Sequence, residues 1–402
     1  MATIMMVGAF DTKGVEYAFL REQILARGHE VLSVNTGVMG ECEAFAVDVD
    51  ASEVAAASGA SLESLRAAGD RGAAMKAMGE GAAKVAEQEF AEGRFDGIVG
   101  MGGSGGSSVV TAAMRALPVG VPKVCVSTVA AGDTAAYVGS KDVVLIPSIV
   151  DVAGVNRISR VIFTRAAGAI CGMVEAEPAP AGDDKPIVVA SMFGNTTECV
   201  NACCEVLAAS GYEVLVFHAT GTGGRTMESL IDEGLVDAVL DITTTEWADE
   251  VCGGVFSAGP ERLNAAGRAG LPQLVVPGCV DMANFGGMDT VPQRYKDGTR
   301  QVTLMRTNAE ENAQMGRIFA EKLNAAQGPV AVLIPLRGVS ILDGDGELFC
   351  DRAADRAFGD ALKANLDEGV LVREVDHNIN DPEFAAAATA LLLELIAEKA
   401  GE

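Results

Sequence analysis

The sequence predicts an α/β protein built from two tandem Rossmann-like domains, each a doubly wound parallel sheet, facing a shared cleft. Three observations carry that expectation. Short apolar runs alternate with helical stretches at βαβ spacing. One Pro- and charge-rich segment, Glu177 to Pro186, interrupts the alternation, which then starts again. Local motifs also recur in the same order on either side of it. Gly28-His-Glu-Val-Leu32 faces Gly211-Tyr-Glu-Val-Leu215, and Glu92-Gly-Arg-Phe-Asp96 faces Glu233-Gly-Leu-Val-Asp237. Gly120-Val-Pro122 answers Gly270-Leu-Pro272, and Val144-Leu-Ile-Pro147 answers Val332-Leu-Ile-Pro335. The domains are placed at residues 1–180 and 186–402.

Taken in order, Thr3 to Val7 is a strand, Ala9 to Gly14 its following loop, and Val15 to Ala26 a helix ended by Gly28. Val31 to Val34 is the second strand, and the Ala-rich stretch Glu53 to Phe90 holds two helices. Asp96 to Val99 is a strand, Gly100 to Ser108 a glycine loop, and Val109 to Leu117 a helix. Strands at Lys123 to Val126 and Val143 to Ile146 and an amphipathic helix, Asn156 to Glu175, complete the first half. The second half opens with strands at Ile187 to Ser191 and Val214 to Phe217. It closes with a buried helix, Phe384 to Ile396, too short to span a bilayer.

At 402 residues the chain suits two domains, and 49% hydrophobic with 5% aromatic residues implies an aliphatic core. The net charge of −26 repels nucleic acid and anionic lipid, which excludes both as general partners. A phosphate ligand must therefore be met by local positive groups. The nine cysteines form no disulfide framework and no signal peptide is evident, so a cytoplasmic location is expected. Cys199 and Cys203 share a helix face without zinc-site partners and read as buried small hydrophobes.

The glycine loop is the main chemical signal. Strand, glycines and helix leave backbone N–H groups at a positive helix end, an arrangement that attracts phosphate. Gly102, Gly103, Ser104, Gly105, Gly106 and Ser107 are the candidate contacts. The spacing fits G-x-G-x-x-G, but the loop follows a later strand than the dinucleotide fingerprint occupies and no Walker lysine follows. Asp11, Thr12 and Lys13 stand at another helix start, where a hydroxyl and a lysine can meet an anion. In the second half, Thr222, Gly223, Gly224 and Arg225 form a second anion loop, and Arg337 follows a buried strand. The counterpart of the glycine loop is Thr243-Thr-Thr-Glu-Trp247. His218 is the candidate base; Glu246 and Asp281 are candidate catalytic carboxylates, and with Asp11 they are candidates for Mg²⁺. Further loops at Arg294 to Thr299, Met305 to Asn308 and Asp376 to Asp381 read as ordinary connections.

Ala9-Phe-Asp-Thr-Lys-Gly14, Gly102-Gly-Ser-Gly-Gly106, Ala219-Thr-Gly-Thr-Gly-Gly-Arg225 and Pro335-Leu-Arg-Gly-Val-Ser340 together resemble the Tm-1-like ATP-binding family, also called UPF0261. The resemblance covers essentially the whole chain. It implies ATP bound between two Rossmann-like halves with Mg²⁺, an unidentified second small molecule, and a homodimer. The chain departs from the family pattern at Gly278-Cys-Val-Asp281 and at Gln293 to Gly298, which bears on the second substrate. If the chain is an enzyme, ATP-dependent phosphoryl or acyl activation of a small carboxylate or sugar acid is the natural reaction class. A non-catalytic nucleotide sensor, or an isomerase or lyase acting on a phosphorylated small molecule, are the alternatives.

Overall fold

The computed structural model describes residues 1–177, 182, 184–287, 291–292 and 304–401. The segment Gln293 to Gly298, the loop Arg294 to Thr299 and half of the Pro-rich linker lie outside the described residues. Two units, Met1–Pro180 and Ala181–Glu402, each enclose their own cores.

The first unit runs β1 (Thr3–Gly8), α1 (Phe10–Leu25), β2 (Glu30–Asn35), α2 (Ala51–Ala57), α3 (Leu62–Ala68), α4 (Arg71–Ala91) and β3 (Gly97–Gly102). It continues through α5 (Ser104–Ala116), β4 (Lys123–Ser127), α6 (Ala135–Val138), β5 (Val144–Pro147) and α7 (Arg157–Glu175). All pairings are parallel, in the order β2-β1-β3-β4-β5. Successive side chains of a strand point to opposite faces. Met5 and Val7 of β1 accordingly join the core beneath α2, α4 and α5, while Ile4 and Met6 join the one beneath α1 and α7.

The second unit runs β6 (Ile187–Met192), a short 3₁₀ turn, α8 (Thr197–Ala209), β7 (Glu213–His218), α9 (Thr222–Asp232), β8 (Ala238–Thr243), α10 (Glu246–Cys252) and α11 (Ala265–Ala269). Then come β9 (Gln273–Gly278), the hairpin partners β10 (Met282–Asn284) and β11 (Leu304–Arg306), and α12 (Ala309–Asn324). β12 (Val330–Pro335), α13 (Arg352–Asn365), β13 (Leu371–Val375) and α14 (Pro382–Gly401) finish it. The main sheet order is β13-β12-β9-β8-β6-β7. Read from its own first strand, this is the same winding as the first unit with one strand added at the far edge.

The internal repeat is therefore structural. Each repeated motif occupies the same place in both units. Asp96 accepts from the Thr3 backbone N–H at 2.7 Å, and Asp237 accepts from Ile187 at 2.7 Å, so one carboxylate ties the start of β3 to β1 and of β8 to β6. Gly93 and Gly234 in these turns both have positive φ, at 68° and 73°.

Three local expectations shift. The 53–90 region holds three helices rather than two, because Ser61 and Asp70 each cap a new start. α1 begins at Phe10 and continues through a distorted Lys13 (φ −124°). β3 extends to Gly102 and α5 starts at Ser104, so the glycine loop shrinks to Gly103 and the remaining glycines form the first helical turn. Among the described residues no helix is long and apolar enough to cross a membrane.

Candidate functional site

In a doubly wound sheet the ligand crevice opens at the carboxyl ends of the strands, where the winding reverses. In the first unit that point lies between β1 and β3. Their last paired residues are Val7 and Gly100. Beyond them the Tyr17 hydroxyl stands between the strands, 2.8 Å from the Val7 carbonyl and 2.7 Å from both the Met101 carbonyl and N–H. It accepts from Met101 N–H and donates its one proton to a carbonyl. Burial raises its pKa, so the phenol stays protonated. A Cβ on Gly8 would overlap this hydroxyl, which explains glycine at the end of β1.

Two helices start at this opening. Ser107 N–H returns to the Gly103 carbonyl at 2.8 Å, and the N–H groups of Ser104, Gly105 and Gly106 precede the first helical bond and have no acceptor among the described residues. No side chain caps α5, so its positive end is left open. Gly102 and Gly106 touch closely, and a Cβ on Gly102 would lie 2.8 Å from the Gly106 Cα. Gly103 has room: a Cβ there would meet only Thr128 Oγ1, at 3.9 Å. Gly105 lies beside a cation that its spacing in the sequence does not reveal. The Arg71 guanidinium, on the first residue of α4, is 3.6 Å from where a Gly105 Cβ would stand, and it makes no hydrogen bond or ion pair to a described residue. Ser107 is buried and turned away, bonded to Ser127 Oγ at 2.6 Å, where it fastens α5 to β4.

At the start of α1, Phe10 N–H donates to Asn35 Oδ1 at 3.0 Å, leaving the N–H groups of Asp11 and Thr12 open. Thr12 is exposed and Lys13 partly so; neither side chain is bonded to a described residue. Asp11 is engaged: its Oδ2 accepts from Met39 and Gly40 N–H at 2.7 and 3.2 Å, and its donor-free Oδ1 packs over Gly37. It holds the loop after β2 in place.

The second anion loop is already filled by the chain. Glu246 Oε1 accepts from the N–H groups of Gly221 and Gly224, at 2.7 and 3.1 Å. Its Oε2 accepts from Arg262 Nε at 2.7 Å. Arg262, 1% exposed, also forks onto Asp241 at 2.5 and 2.6 Å and reaches Glu228 at 3.2 Å. Burial alone would lower the guanidinium pKa, but the three carboxylates hold it well above its ordinary value. Glu246 is thus committed as a buried ion-pair partner and is not free as a base or Mg²⁺ ligand. Gly224 is glycine because a Cβ would overlap the Glu246 carboxylate, and a Gly223 Cβ would overlap the His218 carbonyl. Thr222 and Arg225 bond each other at 3.3 Å, and Arg225 also donates to the Ser257 carbonyl at 2.9 Å.

The remaining candidates stand apart. The His218 ring is exposed and meets Phe193 edge-on. Arg337 forks onto Asp376 at 2.9 and 3.0 Å on the surface. Asp281 is fully buried; Ser340 Oγ donates to its Oδ2 at 2.8 Å and its Oδ1 has no donor. Burial, with the Asp343 charge adding, pushes its pKa up to about 7. No hydrogen bond or ion pair joins any two of His218, Glu246 and Asp281. Among the described residues no three His, Cys, Asp or Glu side chains are grouped to hold a metal ion.

Models of the uncharacterised protein family UPF0261 match nearly the whole chain, its N-terminal domain at residues 2–179 and its C-terminal domain at 185–396. The chain belongs to the UPF0261 family. A UPF0261 protein of Clostridium tetani is 46% identical over 399 residues, covering 98% of each chain. One from Mesorhizobium japonicum is 44% identical over 401 residues. The ToMV resistance protein Tm-1(GCR237) of Solanum lycopersicum is 43% identical over 316 residues, which are 76% of this UPF0261 chain and 42% of the tomato protein.

Proposed function

We propose that the chain is a nucleotide-binding protein that takes the phosphates of ATP at the switch point of its first unit. The observation that carries this reading is the open start of α5 beside β1, with three N–H groups free of acceptors and the unpaired Arg71 guanidinium against Gly105. Lys13 adds a second cation at the start of α1. Mg²⁺ would ride mainly on the phosphates and water, since Glu246 is committed to Arg262 and Asp11 to the loop after β2. The second small molecule and the homodimer come with the family resemblance; phosphoryl or acyl activation, if the chain is an enzyme, rests on the anion-loop chemistry.

Gly103→Ala separates ligand binding from folding. The methyl has room in the protein and φ is −72°, so stability should hold, while the Cβ stands where a phosphate would approach the backbone. Titration calorimetry with ATP and Mg²⁺ should give binding to the native chain that weakens about tenfold or more in this variant and in Arg71→Ala. No heat with the native chain would overturn the nucleotide reading, and unchanged binding in both variants would move the ligand elsewhere. Gly223 offers no such test, because any side chain there collides with the His218 carbonyl.

A further inference from the structure

The outer face of α7 runs against the charge of the chain. The protein carries 56 acids and 30 bases, yet α7 holds Arg157, Arg160 and Arg165 against one acid, Glu175, at its last residue. All three arginines are exposed, and none uses its guanidinium in a hydrogen bond or ion pair to a described residue. The acids that could answer them are engaged elsewhere. Glu175 meets the buried His29 at 2.9 Å. On α1, which shares a core with α7, Glu16 is buried and accepts from Gly154 N–H at 2.5 Å, and Asp11 holds the loop after β2. Glu22 is the one acid of these two helices left without a partner among the described residues.

Helix stability does not explain these cations. The start of a helix is the positive end of its dipole, where a carboxylate is favourable and a cation is not. Arg157 is the first residue of α7 and Arg160 the fourth, and the first turn has no acid. The backbone N–H groups there are already served: the Asn156 side chain accepts from Ile158 and Ser159 N–H at 2.8 and 3.0 Å. Packing does not explain the apolar residues of these turns either. Ile158 and Val161, β-branched and so weaker helix formers than leucine or alanine, are 45% and 46% exposed.

At about 100° per residue, Arg160, Arg157, Val161, Arg165 and Ile158 fall in that order across about 160° of the helix surface, opposite the buried Phe163, Ala166 and Ile170. Eight residues at about 1.5 Å each set Arg157 and Arg165 about 12 Å apart along the axis. One carboxylate or phosphate cannot bridge that span, whereas a run of acids on a peptide can. Guanidinium groups fork onto carboxylates, and the two aliphatic side chains among them offer apolar contact. A membrane or a nucleic acid fits less well. An extended anion brings the rest of a chain of net charge −26 within a Debye length of about 8 Å, while a short segment stays over the patch.

We propose that this face of α7 docks an acidic segment of a partner protein, with carboxylates on Arg157, Arg160 and Arg165 and apolar side chains on Ile158 and Val161. It is independent of the nucleotide reading, since none of these residues belongs to the α5 cradle. The probe is a fluorescein-labelled peptide of about 15 residues, leucine on one helical face and glutamate elsewhere, titrated with the full chain and followed by anisotropy. It should bind, and the same peptide with glutamine in place of glutamate should bind about tenfold more weakly. Arg160→Glu combined with Arg165→Glu should weaken the acidic peptide about tenfold or more, and Val161→Ser about threefold. The charge-reversed chain should melt no lower than the native one, because glutamate at residue 160 suits the helix dipole; a merely structural role for the arginines would lower its melting temperature. No binding of the acidic peptide, equal binding of the glutamine peptide, or binding unchanged by the double reversal would overturn the proposal. Equally tight binding of phosphatidylserine vesicles or an oligothymidylate, abolished by the reversal, would overturn it in favour of a lipid or nucleic-acid surface. A dimer that the reversal dissociates in sedimentation would overturn it in favour of a second copy of this chain.

Discussion

The two switch points of this molecule share one winding and differ in what occupies them. In the first unit, β3 passes through Gly103 into a helix whose first N–H groups are left open, with Arg71 and Lys13 unpaired nearby. In the second unit the corresponding strand ends in three fully buried threonines. Thr243 bonds Ser191, Thr244 donates to the Val276 carbonyl, and Thr245 donates to the Met282 carbonyl. The anion that the neighbouring glycine loop invites is Glu246, supplied by the chain. A glycine-rich turn at a helix start therefore identifies a place for a negative group without saying whether that group comes from outside.

The contrast can be broken most severely at Arg262. Replacing it with Met leaves three carboxylates buried without their cation, and urea unfolding should show a loss of about 3–5 kcal/mol. A loss below 1 kcal/mol would mean that the closed switch point is a solvated ion pair, and the comparison would fail.

Acidity offers a second, intermediate test. Burial, the first cause in each case, holds Asp281 up to about 7 and Asp249 and Asp355 up to about 6. All three belong to the second unit. A carboxyl whose folded pKa is raised keeps its proton after the unfolded chain has lost it, so its stabilising contribution is complete below pH 4 and is lost as pH rises to 7. Asp281→Asn, which can still accept from Ser340, should remove part of that fall, on the order of 1–3 kcal/mol across this window. A stability profile identical to that of the native chain between pH 4 and 7 would contradict the assignment.

The smallest effect tests what the units have in common. Asp96→Asn and Asp237→Asn each weaken one charged acceptor on a strand N–H, and each should cost about 1 kcal/mol in denaturant unfolding. Clearly unequal losses would show that the shared turn has different work in the two units.

Most of the fold was legible because parallel strands are buried on both faces and read as apolar runs, and because the repeated Gly and Asp turns mark their starts. The beginning of α5 was not, since Ser104-Gly-Gly-Ser107 has poor helix propensity and only the returning Ser107 bond makes it helical. The site was half legible. Gly102 to Gly106 and Lys13 stand out locally, but Arg71 is placed by a helix start more than thirty residues upstream of the glycines it flanks. The role of Glu246 was hidden for the same reason, as it lies 22 residues from the Gly224 N–H it binds. Nothing in the local pattern distinguishes it from a free carboxylate.

The acidity of the chain bears on how a ligand arrives. A polyphosphate nearing the α5 cradle moves against the field of a molecule of net charge −26, and the two local cations act only at short range. Its encounter rate should rise as salt is added, the reverse of steered association. A phosphate chain already complexed to a divalent cation meets a lower barrier than the free anion. Under the proposed nucleotide reading, the surface would select kinetically for the metal-bound form before any residue of the cradle is touched.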